Sequence, residues 1–239
     1  MIDEGTIKYR CHWEAVDVIH PDEVGELTDY RNALHQLNLI GQYPNGIGFG
    51  NLSQRDPSDD SDDGASPIFS EKPTAVRPHL SDTGQHSFII TGTQTAHLTT
   101  LTAADYARVT AFNPSQNILT CQGLRKASSE SLTHGVIYTQ APSINAIIHI
   151  HHLEMWQQLL HKIPTTRATI PYGTPEMAAE TQRLFLETNL SNIKIFAMAG
   201  HEEGIVAFGE TLGSAYRTLI DCGISAQILP ISARQLLVR

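Results

Sequence analysis

Apolar positions along this chain keep two different rhythms, and the switches between them mark out its elements. Leu27, Tyr30, Leu34, Leu37 and Ile40 recur at steps of three and four, which predicts a helix from Leu27 to Tyr43, closed by Pro44, Asn45 and Gly46. GIGFGNLSQR (46–55) is too rich in glycine for a helix interior and reads as a turn running into a strand. SFIITG (87–92) predicts a short strand, and LTAADYARVTAF (101–112) a helix started by Thr102. SSESLTHGVIYTQ (128–140) predicts a helix, INAIIHIH (144–151) a strand, and LEMWQQLLHKI (153–163) and TPEMAAETQRLFLETN (174–189) two more helices. NIKIFAMAG (192–200) and GIVAFG (204–209) read as a strand pair, and TLGSAYRTLIDCG (211–223) as the last long helix. Interleaved helices and strands imply α/β/α layering, and the short link between the last two strands implies at least one antiparallel pair.

From Asp56 to about His86 the pattern stops. The stretch is rich in Asp, Ser and Pro and poor in periodic apolar residues, so it predicts an exposed, partly mobile surface insertion. DDSDDG within it clusters oxygen ligands, but the terminal glutamate and flanking helices of an EF-hand are missing, which favours a plain acidic segment. No internal repeat and no interdomain linker is visible, so residues 1–239 are expected to form one domain carrying this insertion at about 56–86.

Composition narrows the function classes. The formal charge is -9 with 16 Lys and Arg, and no basic patch is interleaved with aromatics, so nucleic acid is not an expected partner. No apolar run approaches the ~18 residues of a membrane span, and MIDEGTIKYR lacks the layout of a signal peptide, so the expectation is a cytoplasmic protein with no membrane partner. Three cysteines, Cys11, Cys121 and Cys222, are odd in number and far apart, which predicts packed thiols and not a disulfide framework.

The chemistry gathers around NAIIHIHHLEMW (145–156). Side chains alternate along a strand, so Ile148, Ile150 and His152 point one way while Ile147, His149 and His151 point the other. Two imidazoles therefore share a face, with Cα atoms roughly 7 Å apart, a span that two side chains can close around one cation. The pair is equally compatible with solvated or hydrogen-bonded core histidines. A catalytic zinc usually takes three protein ligands. His201, in AMAGHEEGIVAFG (197–209), is the candidate third donor, with a surface turn histidine as its plain alternative.

ASSESLTHGVIYTQAPSINAIIHIHH (127–152) resembles the serine-serine-glutamate, tyrosine and His-x-His block of the class II aldolase/adducin family. GNLSQR (50–55), IITGTQTAHLT (89–99), IPYGTPEMAAE (170–180) and GIVAFGETLGSAY (204–216) resemble further blocks of that family, in family order. The resemblance implies an α/β, three-layer α/β/α sandwich with a central, largely antiparallel sheet. It implies His149, His151 and His201 as ligands of a divalent metal, Zn²⁺ first, and Glu130 as the acid/base facing the substrate. Chemistry agrees: bond cleavage or dehydration beside a carbonyl passes through an enediolate, whose charge a Lewis acid stabilises while a carboxylate moves the proton. The plain alternative for Glu130 is a helix-terminus carboxylate interacting with the dipole. Asn51, Thr91, Gly92, Ser128 and Ser129 match positions that surround the substrate phosphate in sugar-phosphate members, where hydroxyls, an amide and backbone N–H groups can cradle an anion. Their alternative is turn and cap duty.

Two departures stand out. Most members place the third histidine directly before the glycine of the last strand, whereas here the order is His201, Glu202, Glu203, Gly204. Either the turn bulges and His201 remains the ligand, which the resemblance favours, or Glu203 takes the position in a two-histidine, one-carboxylate set. The chain between His151 and Pro171 is also shorter than in sugar-phosphate aldolases, and no equivalent of their proton-donor tyrosine stands out. The expected function is a metal-dependent lyase acting on a small hydroxy-carbonyl compound, a sugar phosphate by resemblance, through carbon-carbon cleavage, dehydration or epimerisation. The alternative is a non-catalytic adducin-like scaffold, against which the retained His149, His151 and Glu130 argue. A homotetramer is implied by resemblance alone.

Overall fold

The computed structural model describes residues 6–56 and 87–236. Apart from Asp56, the acidic insertion and its DDSDDG cluster lie outside the described residues. In chain order the elements are β1 (Arg10–Glu14), α1 (Pro21–Gln36), β2 (Gly41–Gln42), β3 (Gly48–Phe49), β4 (Asn51–Arg55), β5 (Phe88–Thr91), β6 (Tyr106–Asn113), β7 (Ile118–Gln122), α2 (Ser131–Gln140), β8 (Ala146–His151), α3 (Leu153–Leu159), α4 (Pro175–Glu187), α5 (Leu190–Ile193), β9 (Ile195–Ala197), β10 (Gly204–Gly209) and α6 (Leu212–Ser225). Eight strands form one sheet in the order β1-β7-β6-β5-β4-β8-β10-β9, while β2 and β3 pair separately as a small hairpin. Every pairing in the large sheet is antiparallel except that of β1 with β7.

Alternation along β8 separates two cores. Ala146, Ile148 and Ile150 join the cluster that α1 and α6 supply with Leu27, Leu34, Leu219 and Ile220. Ile147 joins the opposite cluster, to which α2 gives Leu132 and Ile137 and α4 gives Met177 and Leu184. Helices thus cover both faces of the sheet, the expected three layers, and each fully buried aliphatic side chain contributes ~1.5–3 kcal/mol. Local signals agree with these positions. Thr174 accepts the Met177 N–H and is followed by Pro175, which fixes the start of α4, and Thr211 with Ser214 forms a capping box at α6.

Two sequence expectations need correction. The first helix runs from Pro21 to Gln36 and not from Leu27 to Tyr43. His20, just ahead of Pro21, forms a capping box with Glu23 in the first turn, and the chain leaves the helix at Leu37 and Asn38, the latter in the left-handed region (φ 56°). Leu39 and Ile40 continue the apolar spacing because they enter the core as irregular chain. The second correction is larger: 101–112 is not a helix. Thr102 does start a 3-10 turn at Ala103–Asp105, but Tyr106–Asn113 is β6, bonded to β5 on one side and β7 on the other. A bulge between Val109 and Ala111 breaks the two-residue alternation, so Tyr106, Val109 and Phe112 are buried at steps of three and imitate a helix.

All three cysteines are free thiols. Cys11 and Cys121, remote in sequence, come together across β1 and β7 with Sγ atoms 3.6 Å apart. Among the described residues no helix is long and apolar enough to cross a membrane.

Candidate metal centre

β8 lies between β4 and β10, with His149 opposite Asn51 and Val206, and His151 opposite Gly204. This double pairing sets both imidazoles on the face shared with α2 and α4, their ring centroids 4.9 Å apart. His201 comes from the turn between β9 and β10. That turn is closed by Met198 N–H to Gly204 O (2.9 Å) and Gly204 N–H to His201 O (2.9 Å). Its ring sits 5.1 Å from that of His149 and 4.6 Å from that of His151. One donor atom from each of the three histidines lies within 4.8 Å of the other two, and all three side chains are buried. Gly204 leaves space for this convergence: a Cβ there would stand 3.2 Å from His201 Nδ1 and 3.3 Å from His149 Nε2.

Burial, reinforced by the neighbouring His151, His201 and His134, holds His149 well below the usual imidazole range. Burial and then His201 do the same to His151. These are neutral rings, the form that binds metals. His149 Nε2 is buried with no hydrogen-bond partner among the described residues. Leaving such an atom unsatisfied costs ~1–3 kcal/mol, and a cation at the centre of the three rings would offset it. Asn51 Nδ2 lies 3.2 Å from His149 Nδ1. Turning that amide by half a rotation places its oxygen there as acceptor for Nδ1–H, the orientation that leaves Nε2 unprotonated for a metal. The donor set therefore fits a divalent cation that favours nitrogen ligands.

Glu130 precedes α2, is 2% exposed, and brings Oε1 to 3.7 Å from His201 Nδ1. It occupies the N-cap position of α2 without a side-chain capping hydrogen bond, which sets its carboxylate at the positive end of the helix dipole as well as beside His201. Ser128 and Ser129 stand just before it, and with Asn51 and Gly92 they line a cavity of about 750 Å³ that adjoins the metal site. Thr91 behaves differently. It is not among the lining residues, and its hydroxyl accepts the Leu52 N–H (3.3 Å). Gly92 shapes the wall without offering a donor, because its N–H is given to Asp105 O (2.7 Å). Thr93 N–H is likewise given to Lys126 O (2.8 Å). Arg31, fully buried on α1, donates to the carbonyls of Thr95, Ala96 and Thr99 and so secures the loop that forms one side of the cavity.

Three residues near the centre were not assigned roles, or were assigned other ones, from the sequence. The ring of Tyr172 stacks on His201 at 4.4 Å and 22°, with Lys8 Nζ 3.7 Å from its centroid. Tyr172 belongs to the IPYGTPEMAAE block, which was the only signal of its position. Tyr43, expected at the end of a helix, instead reaches His151 Nδ1 at 2.8 Å. Glu203, weighed as an alternative ligand, is bonded to Tyr43 and stays 4.0 Å from His151 Nδ1.

A model of the class II aldolase and adducin N-terminal domain family matches residues 46–229. The chain belongs to this family. The shared fold extends over nearly the whole chain of this class II aldolase family member. The sugar-phosphate aldolase from Thermotoga maritima superposes with a TM-score of 0.58 at 19% identity, covering 87% of this chain and 93% of that one. For the l-fuculose-1-phosphate aldolase from Thermus thermophilus the TM-score is 0.56 at 20% identity, again covering 87% of this chain and 93% of that one. YgbL from Escherichia coli gives 0.56 at 16% identity, covering 90% of this chain and 97% of that one.

Proposed function

We propose that this class II aldolase family protein is a zinc-dependent lyase acting on a small, phosphorylated hydroxy-carbonyl compound. The observation that carries this reading is the convergence of three buried imidazoles, His149, His151 and His201, beside the buried carboxylate of Glu130. Bound zinc supplies Lewis acidity next to the substrate carbonyl. Glu130 is the group that takes or returns the proton beside that carbonyl, since it is the one carboxylate buried against the cluster among the described residues. Tyr172, stacked on His201, brings a phenol into the same shell and is a candidate proton donor to a departing aldehyde, which keeps aldol cleavage among the reactions open to this site alongside dehydration and epimerisation.

The cavity supports an anionic substrate through side chains more than through a backbone nest, because the N–H groups of Gly92 and Thr93 are already used within the fold. Ser128, Ser129 and Asn51 provide the polar wall, with Thr91 and Gly92 holding its shape, while Arg125 and Lys126 add positive charge at the rim. A non-catalytic scaffold would have no use for three imidazoles buried at this cost. The family resemblance also supports a homotetramer, which light scattering tests directly.

The decisive experiment is metal analysis of protein purified without added metal, followed by an activity screen on ketose phosphates and their dephosphorylated counterparts. The expected result is about one zinc-class ion per chain and turnover that prefers the phosphorylated compounds. Failure to bind any divalent metal after reconstitution overturns the proposal.

A further inference from the structure

Glu203 sits where the turn between β9 and β10 is two residues longer than the family pattern, and its side chain is engaged. Its Oε2 accepts the hydroxyl proton of Tyr43 at 2.5 Å, and the same Tyr43 oxygen lies 2.8 Å from His151 Nδ1. A carboxylate can only accept, so the Tyr43 proton points to Glu203 and the phenol oxygen is left to accept Nδ1–H from His151. That fixes the imidazole as the tautomer whose Nε2 is unprotonated. We propose that Glu203 and Tyr43 are positioning residues for the metal centre: a carboxylate-phenol pair that orients His151 and fixes its tautomer from behind, in place of Glu203 acting as a ligand.

Geometry separates the two roles. Glu203 approaches His151 from its Nδ1 edge, and the group of donors that converge is His149, His151 and His201 without it. Its backbone is anchored as well, for Glu203 O accepts His152 N–H at 3.1 Å, which ties the turn to the end of β8. Glu203 adopts φ 69°, where a glycine or asparagine would fit with less strain, so the turn's backbone does not itself call for a glutamate. Tyr43 is held in turn by the β2–β3 hairpin, where its N–H donates to Ile47 O (2.8 Å) and its ring packs on Phe49 at 4.5 Å. Gln42, Gly46, Ile47 and Gly48 of that hairpin line the cavity. The relay therefore links one metal ligand to the wall that a substrate would touch.

This inference rests on the metal-centre reading above, and its test keeps the two apart. Zinc affinity would be measured by chelator competition for the wild type, Tyr43→Phe, Glu203→Gln, Glu203→Ala and the Tyr43→Phe/Glu203→Ala double variant, with the visible spectrum of the cobalt-substituted forms as a second readout. Loss of an outer partner of a ligating histidine typically lowers affinity 10–100-fold. Tyr43→Phe and Glu203→Ala should each fall in that range, and the double variant should be no worse than either single, because both break one chain of bonds. Glu203→Gln, whose amide oxygen can still accept from Tyr43, should recover most of the affinity. The cobalt spectra should keep the intensity of an unchanged coordination number. Unaltered affinity in both single variants overturns the proposal. So does a Glu203→Ala loss that adds to that of Tyr43→Phe and changes the cobalt spectrum, as removal of a direct ligand would. A wild type that binds no metal overturns the metal-centre reading itself.

Discussion

His149 and His151 stand on a strand bonded along both edges, whereas His201 stands on a turn held by a handful of backbone bonds. For the strand pair, a spacing of two residues and the flanking β4 and β10 leave no choice about which face the rings share. For the turn, nothing in the spacing fixes direction. His201 is aimed by Met198, Gly204 and the bond from His152 N–H to Glu203 O, and the longer turn is absorbed by the left-handed backbone at Glu203. Two of the three donors are thus placed by secondary structure and one by tertiary contacts, and the first kind should be the more tolerant of change nearby.

The largest effect is expected at Glu130, beside the turn's His201. Glu130→Gln should lower turnover roughly 10²–10⁴-fold while leaving metal stoichiometry intact, because the amide keeps the shape and loses the proton transfer. Steady-state kinetics with metal analysis on the same preparation check this, and unchanged turnover would remove Glu130 from the chemistry. Next come the ligands. His149→Ala and His151→Ala should each weaken zinc binding on the order of 10²–10³-fold, one ligand's share of a site of ~10–16 kcal/mol. His201→Ala should match them if the turn is as well ordered as the strand, and a clearly smaller loss would show that it is not.

Gly204→Ala probes the seam between strand and turn. Its Cβ would press on His201 Nδ1, His149 Nε2 and His201 O, all at 3.0–3.3 Å, so overpacking of ~1–3 kcal/mol in thermal or denaturant unfolding should accompany a weaker metal site. The smallest effect at neutral pH concerns His134, one turn along α2 from Glu130, whose Nδ1 lies 2.7 Å from Ser53 Oγ. Burial pushes it down to about 3. The unfolded chain, with a histidine near ~6.5, takes up a proton that the folded protein refuses, so this part of the stability is complete above ~pH 6.5 and declines as pH falls toward 3. The slope is up to ~1.4 kcal/mol per pH unit. His134→Gln should remove that slope in denaturant titrations between pH 6 and 4, leaving whatever the other buried histidines contribute.

The same division decides what could be read from the sequence. β8 was legible because its alternation is unbroken and both its faces are buried. β6 was misread because one bulge converts a period of two into steps of three. β1 escaped notice since RCHWE is an exposed edge strand with no apolar pattern of its own, and β7 since ILTCQ is short and bounded by irregular chain. At the site, the His-x-His spacing is a local signal. His201 became a candidate because a zinc site needs a third donor and AMAGHEEGIVAFG offers one at a predicted turn, and Glu130 only through resemblance. Tyr43 and Glu203 meet across 160 positions, and Tyr172 reaches His201 by stacking, contacts that no periodicity encodes.

β4 and β5 pair from Ser53 with Ile90 to Arg55 with Phe88, and beyond the last pair Asp56 N–H donates to Ser87 O at 3.0 Å. Arg108 on β6 grips Asp56 from the side at 2.6 Å. The chain accordingly leaves the sheet and returns to it through one sealed gate. Closing a flexible loop costs entropy only as the logarithm of its length, so a flexible insert of about thirty residues spliced at this seam would cost just about 2 kcal/mol more than one of about four. Such a gate makes the hairpin a natural port for grafting: the sheet that carries the three histidines registers the length of what is spliced there faintly, and the seam is closed by main-chain bonds whatever the sequence between.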